Sequence, residues 1–210
     1  MVKKLIFDLD NTLIIWKSEY VSALEETMKK FNVESIKLYA IDNIIETLEK
    51  KYEIISKDIL LKDINEQCNL NLNMDFINLL FEKQKLLAFK DNELIETIKY
   101  LNSKYELVVL TNYFTDVQKG RLETAGILKY FKKVFGGDEV KLKPSKGAFM
   151  KAIYPNNIDE CIMIGDSLEF DIKGALNIGL KAIAFDYKNQ IPDSKDYIKI
   201  KKISDLMKIL

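Results

Sequence analysis

At 210 residues, 48% of them apolar and 30% charged, the chain is long enough for one folded core with a sizeable insertion and too rich in aliphatic side chains for a disordered protein. Its 32 basic and 32 acidic residues cancel, so no net field gathers a nucleic acid polymer or an anionic membrane, and any charged ligand must be held locally. Histidine is absent, which removes Ser-His-Asp and Cys-His catalysis, phosphohistidine chemistry and imidazole zinc sites, and leaves the chemistry to carboxylates, hydroxyls, lysines or a hard metal ion.

The first apolar run, residues 3–7, reads as a buried strand that stops abruptly at Asp8-Leu9-Asp10-Asn11-Thr12. It follows Met1 so closely that no signal peptide is expected, and no apolar run reaches the length of a membrane span. A cytoplasmic protein is the expectation. Residues 14–90 then carry helical spacing throughout, as in Tyr20, Leu24, Met28 and Phe31. We read them as an inserted all-helical subdomain over the mouth of a core built from residues 1–13 and 91–210; the plainer alternative is that these helices pack on a sheet face.

From residue 91 onward strands and helices alternate. Leu94, Ile95, Ile98 and Leu101 mark a helix, residues 106–110 a strand before Thr111-Asn112, and Val117, Leu122 and Ala125 a helix ending at Gly126. Residues 161–164 form a strand before Gly165-Asp166-Ser167, and residues 181–185 another before Asp186. The alternation predicts an α/β fold, a doubly wound, Rossmann-like and mostly parallel sheet with ligands beyond the carboxyl ends of its strands. Cys68 and Cys161 are far apart and fit buried thiols in a reducing compartment. The sole arginine, Arg121, follows neither cysteine at the spacing of a cysteine phosphatase loop.

The polar strand ends carry the chemistry. Asp8 and Asp10 alternate on an extended segment, so their roles differ: Asp8 suits a nucleophile and metal ligand, and Asp10 a proton donor to a leaving oxygen. A lone pair of such acids is also a common turn or helix cap. Asp166 and Asp171, after a strand whose Gly165 permits close backbone approach, complete with Asp8 an oxygen-only cluster of the kind that holds Mg2+. Thr111 and Asn112 can hold phosphate oxygens, and Lys143, before Pro144, can screen nucleophile from phosphate.

In this order, Asp8-Leu9-Asp10-Asn11-Thr12, Leu110-Thr111-Asn112, Lys143-Pro144 and Gly165-Asp166-Ser167 with Asp171, the chain resembles the haloacid dehalogenase superfamily, whose members are mostly phosphatases. The resemblance spans the whole chain, with residues 14–90 in the place of the family's cap. It implies that Asp8 is the nucleophile and that Asp10 is the general acid and base, ligating magnesium through its main-chain carbonyl. It also implies that Thr12 supports the loop, that Thr111 and Asn112 bind phosphate, that Lys143 steadies the acyl-phosphate and that Asp166 is a metal ligand. Ser167 and Asp171 would hold the metal's outer shell.

An acid at Asp10 marks the phosphoryl-transfer members, so dehalogenation is not expected. The run from Thr111 to Gly126 is similar to the nucleoside 5′-monophosphate phosphatase branch, with Tyr113 where that branch commonly has glycine. The expected substrate is a small phosphorylated metabolite, a nucleoside 5′-monophosphate or a sugar phosphate, and a monomer is the default. Trp16, Lys17, Tyr113 and Phe114 are candidates to face substrate, with Trp16 and Phe114 equally suited to packing insertion on core. Two other readings stand beside hydrolysis: a phosphomutase of the same superfamily, and a non-catalytic phospho-signalling module, which Asp10 argues against because a general base would hydrolyse a stored acyl-phosphate.

Overall fold

The computed structural model describes residues 1–15 and 19–210, so the expectations for Trp16 and Lys17 fall outside the described residues. Strand β1 (Lys4–Phe7) is buried along its whole length, as an unbroken apolar run covered on both faces must be. The strands that follow are β2 (Glu106–Leu110), β3 (Lys133–Phe135), β4 (Cys161–Gly165), β5 (Lys181–Phe185) and β6 (Ile198–Ile200). Every neighbouring pair runs parallel, so the sheet is wholly rather than mostly parallel. Edge strands β3 and β6 go unseen in the sequence because three residues are too few to set a period.

The strand order is β3-β2-β1-β4-β5-β6, and the direction of sheet growth reverses at β1. Such a reversal opens a crevice beyond the strand ends, here between β1 and β4. Phe7 pairs with Val109 of β2 and Ile164 of β4, so the next residue, Asp8, emerges at that crevice. Leu5 and Phe7 feed one apolar cluster and Ile6 another, as the alternation of a strand dictates.

Four helices lie between β1 and the first helix of the alternating region: α1 (Glu19–Lys30), α2 (Leu38–Lys51), α3 (Lys57–Cys68) and α4 (Met74–Lys85). Short polar side chains start two of them, Ser56 accepting from the Ile59 N–H and Asn73 from the Asp75 N–H. Asp91 caps the next helix, α5 (Asn92–Asn102), by accepting from Glu93 and Leu94. Beyond it are α6 (Thr115–Thr124), α7 (Lys146–Ile153), a wide π-type turn at Leu168–Lys173 that runs into α8 (Gly174–Leu176), and α9 (Leu206–Ile209). The buried Lys4 ties α7 to the sheet by donating to the carbonyls of Ala152, Ile153 and Tyr154, the end of a helix where a cation is favoured.

Helices α1–α4 share a third apolar cluster, which includes Leu24, Met28, Ile41, Leu60, Phe76 and Phe81. That cluster also takes in Tyr113 and Phe114 from the loop beyond β2, Val117 of α6 and Leu142 from the loop beyond β3. Backbone pairing reinforces the contact: the Ile55 N–H donates to Gly137 O at 2.9 Å and the Leu142 N–H to Glu53 O at 2.8 Å. The helices therefore rest on the carboxyl end of the sheet, over the crevice. Among the described residues no helix is long and apolar enough to cross a membrane.

Candidate active site

Leaving β1, the backbone folds into a tight loop in which the Leu9 carbonyl accepts from the N–H groups of Thr12, Leu13 and Ile14. Asn11 sits in the left-handed region at φ 61°, which asparagine tolerates better than most residues. This loop points Asp8 and Asp10 at different partners. Asp8 is buried, its Oδ2 accepting from the Thr12 hydroxyl at 3.0 Å and its Oδ1 from Lys143 Nζ at 2.6 Å.

Lys143 Nζ also donates to Asp171 Oδ1 at 2.6 Å, so one buried ammonium bridges two carboxylates from separate strand ends. Asn112 holds the backbone of that lysine from both sides: its Nδ2 donates to Lys143 O at 3.0 Å and its Oδ1 accepts from Lys143 N at 2.7 Å. Burial alone would pull the Lys143 ammonium down, but Asp171 and Asp8 outweigh it and hold it above the ordinary lysine value. Burial is also the larger influence on Asp8 and drives its carboxyl well up, with Lys143 opposing and Asp171, Asp166 and Asp10 adding. Asp166 is lifted from 3.8 to about 6 by burial first and Asp171 second. At Gly165 a Cβ would sit 2.3 Å from Asp171 Oδ2, so only glycine lets the β4 end approach this cluster.

Asp10 turns the other way, toward α6. Its Oδ2 accepts from Gln118 Nε2 at 2.6 Å, and its Oδ1 pairs with Arg121, which is fully buried. The Thr111 hydroxyl oxygen accepts from Gln118 Nε2 at 3.0 Å and from the Tyr113 N–H at 3.4 Å, which leaves its own proton available as a donor. Arg121 reaches further, donating to Leu87 O at 3.2 Å and stacking over the Tyr20 ring at 4.8 Å. Gln118 and Arg121 have no place in the sequence reading. Their one signal there is that Arg121 is the chain's only arginine.

The crevice has a volume of about 490 Å³ and is lined by Asp8, Asp10, Thr111, Asn112, Lys143, Asp166, Ser167 and Asp171 together. Residues from the three polar strand ends and the Lys143 loop thus share one cavity. Its far wall is α2, whose Ile41, Ile44, Ile45 and Leu48 are buried while Asn43, Glu46, Glu49 and Lys50 line the cleft. Glu49 was also not foreseen; its Oε2 accepts from Asn112 Nδ2 at 2.8 Å. Tyr113 lines the cavity, with its hydroxyl donating to Gln84 at 2.9 Å. Phe114 does not reach the rim: it is 1% exposed and packs on Phe81 with ring centroids 4.6 Å apart, so it joins the helices to the sheet.

One oxygen from each of Asp8, Asp166 and Asp171 lies within 4.8 Å of the others, a set of hard donors with no nitrogen or sulfur. It fits a small divalent cation such as magnesium: burial raises the carboxyls of Asp8 and Asp166, Asp171 adds to the rise in both, and a bound cation would favour their ionised forms. Asp171 Oδ1 accepts from Lys143 and its Oδ2 from the Ser167 N–H at 3.0 Å, and both Asp8 oxygens accept as well, from Lys143 and Thr12.

The family model described as haloacid dehalogenase-like hydrolase matches residues 5–185. The chain is 28% identical over 205 residues to the pyrimidine 5′-nucleotidase PynA of Streptococcus pneumoniae, covering 86% of this chain and 82% of that one. It is 25% identical over 218 residues to the phosphoglycolate phosphatase of Aquifex aeolicus, covering 100% and 97%. Among solved structures, the HAD-hydrolase YfnB of Bacillus subtilis, bound to magnesium, superposes with a TM-score of 0.77 at 20% identity over 99% of this chain and 98% of that one.

Proposed function

The chain belongs to the haloacid dehalogenase-like hydrolases and is an enzyme of their phosphatase type, and from that premise we propose that it hydrolyses a small phosphate monoester through a covalent aspartyl-phosphate, an acyl phosphate on Asp8. The observation that carries this reading is the Lys143 ammonium set 2.6 Å from both Asp8 and Asp171 at the mouth of the β1–β4 crevice. A lysine so placed stands beside the Asp8 carboxylate and meets the charge of an incoming phosphoryl group without donating it a proton.

In the first step a carboxylate oxygen of Asp8 forms a bond to phosphorus as the ester P–O bond breaks, and Asp10 gives its proton to the departing oxygen. In the second, water attacks the phosphorus, Asp10 takes a proton from it, and the P–O bond to Asp8 breaks to release inorganic phosphate. In the structure both Asp10 oxygens accept hydrogen bonds from Gln118 and Arg121, the arrangement that receives a proton; to give one, Asp10 turns toward the leaving oxygen. The Thr111 hydroxyl and the backbone N–H of Asn112 hold phosphate oxygens, while the Asn112 side chain keeps Lys143 in place. Asp8, Asp166 and the main-chain carbonyl of Asp10 would hold magnesium, which would supply charge neutralisation for the phosphoryl group. Residues 14–90 act as the lid, α2 covering the cleft and excluding water.

A nucleoside 5′-monophosphate or a sugar phosphate is the substrate class we infer, supported by the nucleotidase among the relatives. The test is magnesium-dependent release of phosphate from p-nitrophenyl phosphate. Wild-type protein is expected to turn it over, and Asp8→Asn to lose at least about a thousandfold in kcat, as removal of a nucleophile does. Undiminished turnover in Asp8→Asn would refute the covalent route.

A further inference from the structure

The cleft wall that α2 provides carries a charge pattern that bears on the leaving group. Around the cavity stand six carboxylates, from Asp8, Asp10, Glu46, Glu49, Asp166 and Asp171, against two lysines, Lys50 and Lys143. Lys143 is consumed by Asp8 and Asp171. Adding Arg121 behind Asp10 and a divalent cation still leaves the cavity without spare positive charge before the substrate's own phosphate enters.

Within that wall Glu49 is the acid that contacts the Asn112 and Lys143 end of the cavity. Its Oε2 touches Asn112, the residue that positions Lys143, and its Oε1 accepts from no described residue. Burial pushes the Glu49 carboxyl up, with the Asn112 hydrogen bond and Lys143 opposing, which sets it within electrostatic reach of the reaction centre. A half-buried acceptor there gains a partner from a hydroxyl or ammonium group on the substrate, whereas a second anion meets a like charge in a poorly solvated cleft.

We propose that Glu49 is a specificity-determining residue that selects phosphate monoesters whose leaving group is neutral or cationic and hydrogen-bond donating, and that rejects leaving groups bearing a carboxylate or a second phosphate. This rests on the phosphatase reading and deepens it. It admits nucleosides and unphosphorylated sugars, and it excludes phosphoglycolate, the substrate named for one relative. It also disfavours the bisphosphates that a phosphomutase must bind, because on the α2 wall Glu46 and Glu49 outnumber the single lysine, Lys50.

Three two-carbon esters differ only at the far end: 2-aminoethyl phosphate, 2-hydroxyethyl phosphate and phosphoglycolate. Wild-type kcat/KM is expected to favour the first two over the third by roughly tenfold or more, the scale of one like-charge contact. Glu49→Gln keeps an acceptor for Asn112 but removes the charge, so any general loss cancels in the ratio, and that preference should shrink at least about threefold. Equal turnover of all three by wild type, or an unchanged ratio in Glu49→Gln, would overturn the proposal. Dissociation constants for the same esters in Asp8→Asn and Asp8→Asn/Glu49→Gln proteins with magnesium read selection without turnover. If those constants show the charge preference while no ester is hydrolysed, the phosphatase reading fails and the assignment of Glu49 stands; if they show none, the assignment fails.

Discussion

A buried ammonium is tolerated only where carboxylates surround it, and a cluster of carboxylates only where cations offset it. Lys143 and the acids Asp8, Asp166 and Asp171 meet both conditions incompletely, and Asp166 records the shortfall. Its carboxyl rises from 3.8 in the unfolded chain to about 6 in the folded one, chiefly through burial. A group shifted upward contributes stability below its unfolded value and loses it as pH climbs through the folded value. The metal-free protein should therefore lose stability, through this group, between about pH 4 and pH 7, and magnesium, which needs the ionised carboxylate, should restore it mainly at the upper end. Thermal melts with and without magnesium check this: the rise in Tm is expected to be larger at about pH 7 than at about pH 5, and an equal rise at both would contradict it.

At the scale of elements, helix α6 does more than cover the sheet. Gln118 and Arg121 stand three residues apart on its inward face and grip Asp10 together. Arg121 is a positioning residue, and its replacement should act on the proton transfers more than on substrate binding. Arg121→Lys keeps the charge but loses the planar fork, so kcat should fall by about ten- to a hundredfold with KM nearly unchanged; a rise in KM at constant kcat would assign Arg121 to substrate binding instead.

That face also shows where sequence reading stops. Strands β1, β2, β4 and β5 are legible because each is an apolar run ended by polar residues, and the same endings disclose Asp8, Asp10, Thr111, Asn112 and Asp166. Gln118, Arg121 and Glu49 are polar residues on helices, which a period-based reading assigns to solvent. Only the fold shows that α6 turns two of them inward and that α2 hangs the third over the cleft. For Phe114 the sequence leaves two readings, rim or packing of insertion on core, and the apolar cluster under α4 draws it to the second.

Across the whole molecule, the helical segment leaves through Leu13 and Ile14 and returns through Ala88, and all three residues belong to the sheet's own apolar cluster. The two crossings are thereby anchored, while α4 closes on α6 through Phe81, Phe114 and the Lys85–Asp116 ion pair. Phe81 is fully buried in that seam. Phe81→Ala should cost about 3–5 kcal/mol of unfolding free energy, the usual result of emptying a large aromatic site, and urea denaturation measures it. A loss below about 1 kcal/mol would mean that the helices and the sheet do not depend on that contact.

The strand order carries a consequence for synthesis. Because β4 inserts beside β1, the two carboxylates that face the cleft, Asp8 and Asp166, are made at nearly opposite ends of translation. A nascent chain that ends after α5 and β2 still holds Asp8 beside an unfilled sheet edge, with neither Lys143 nor Asp171 yet in place. On the proposed mechanism, fragments that stop short of Asp171 should release no phosphate, because the acid cluster is complete only when that residue has been made and has docked.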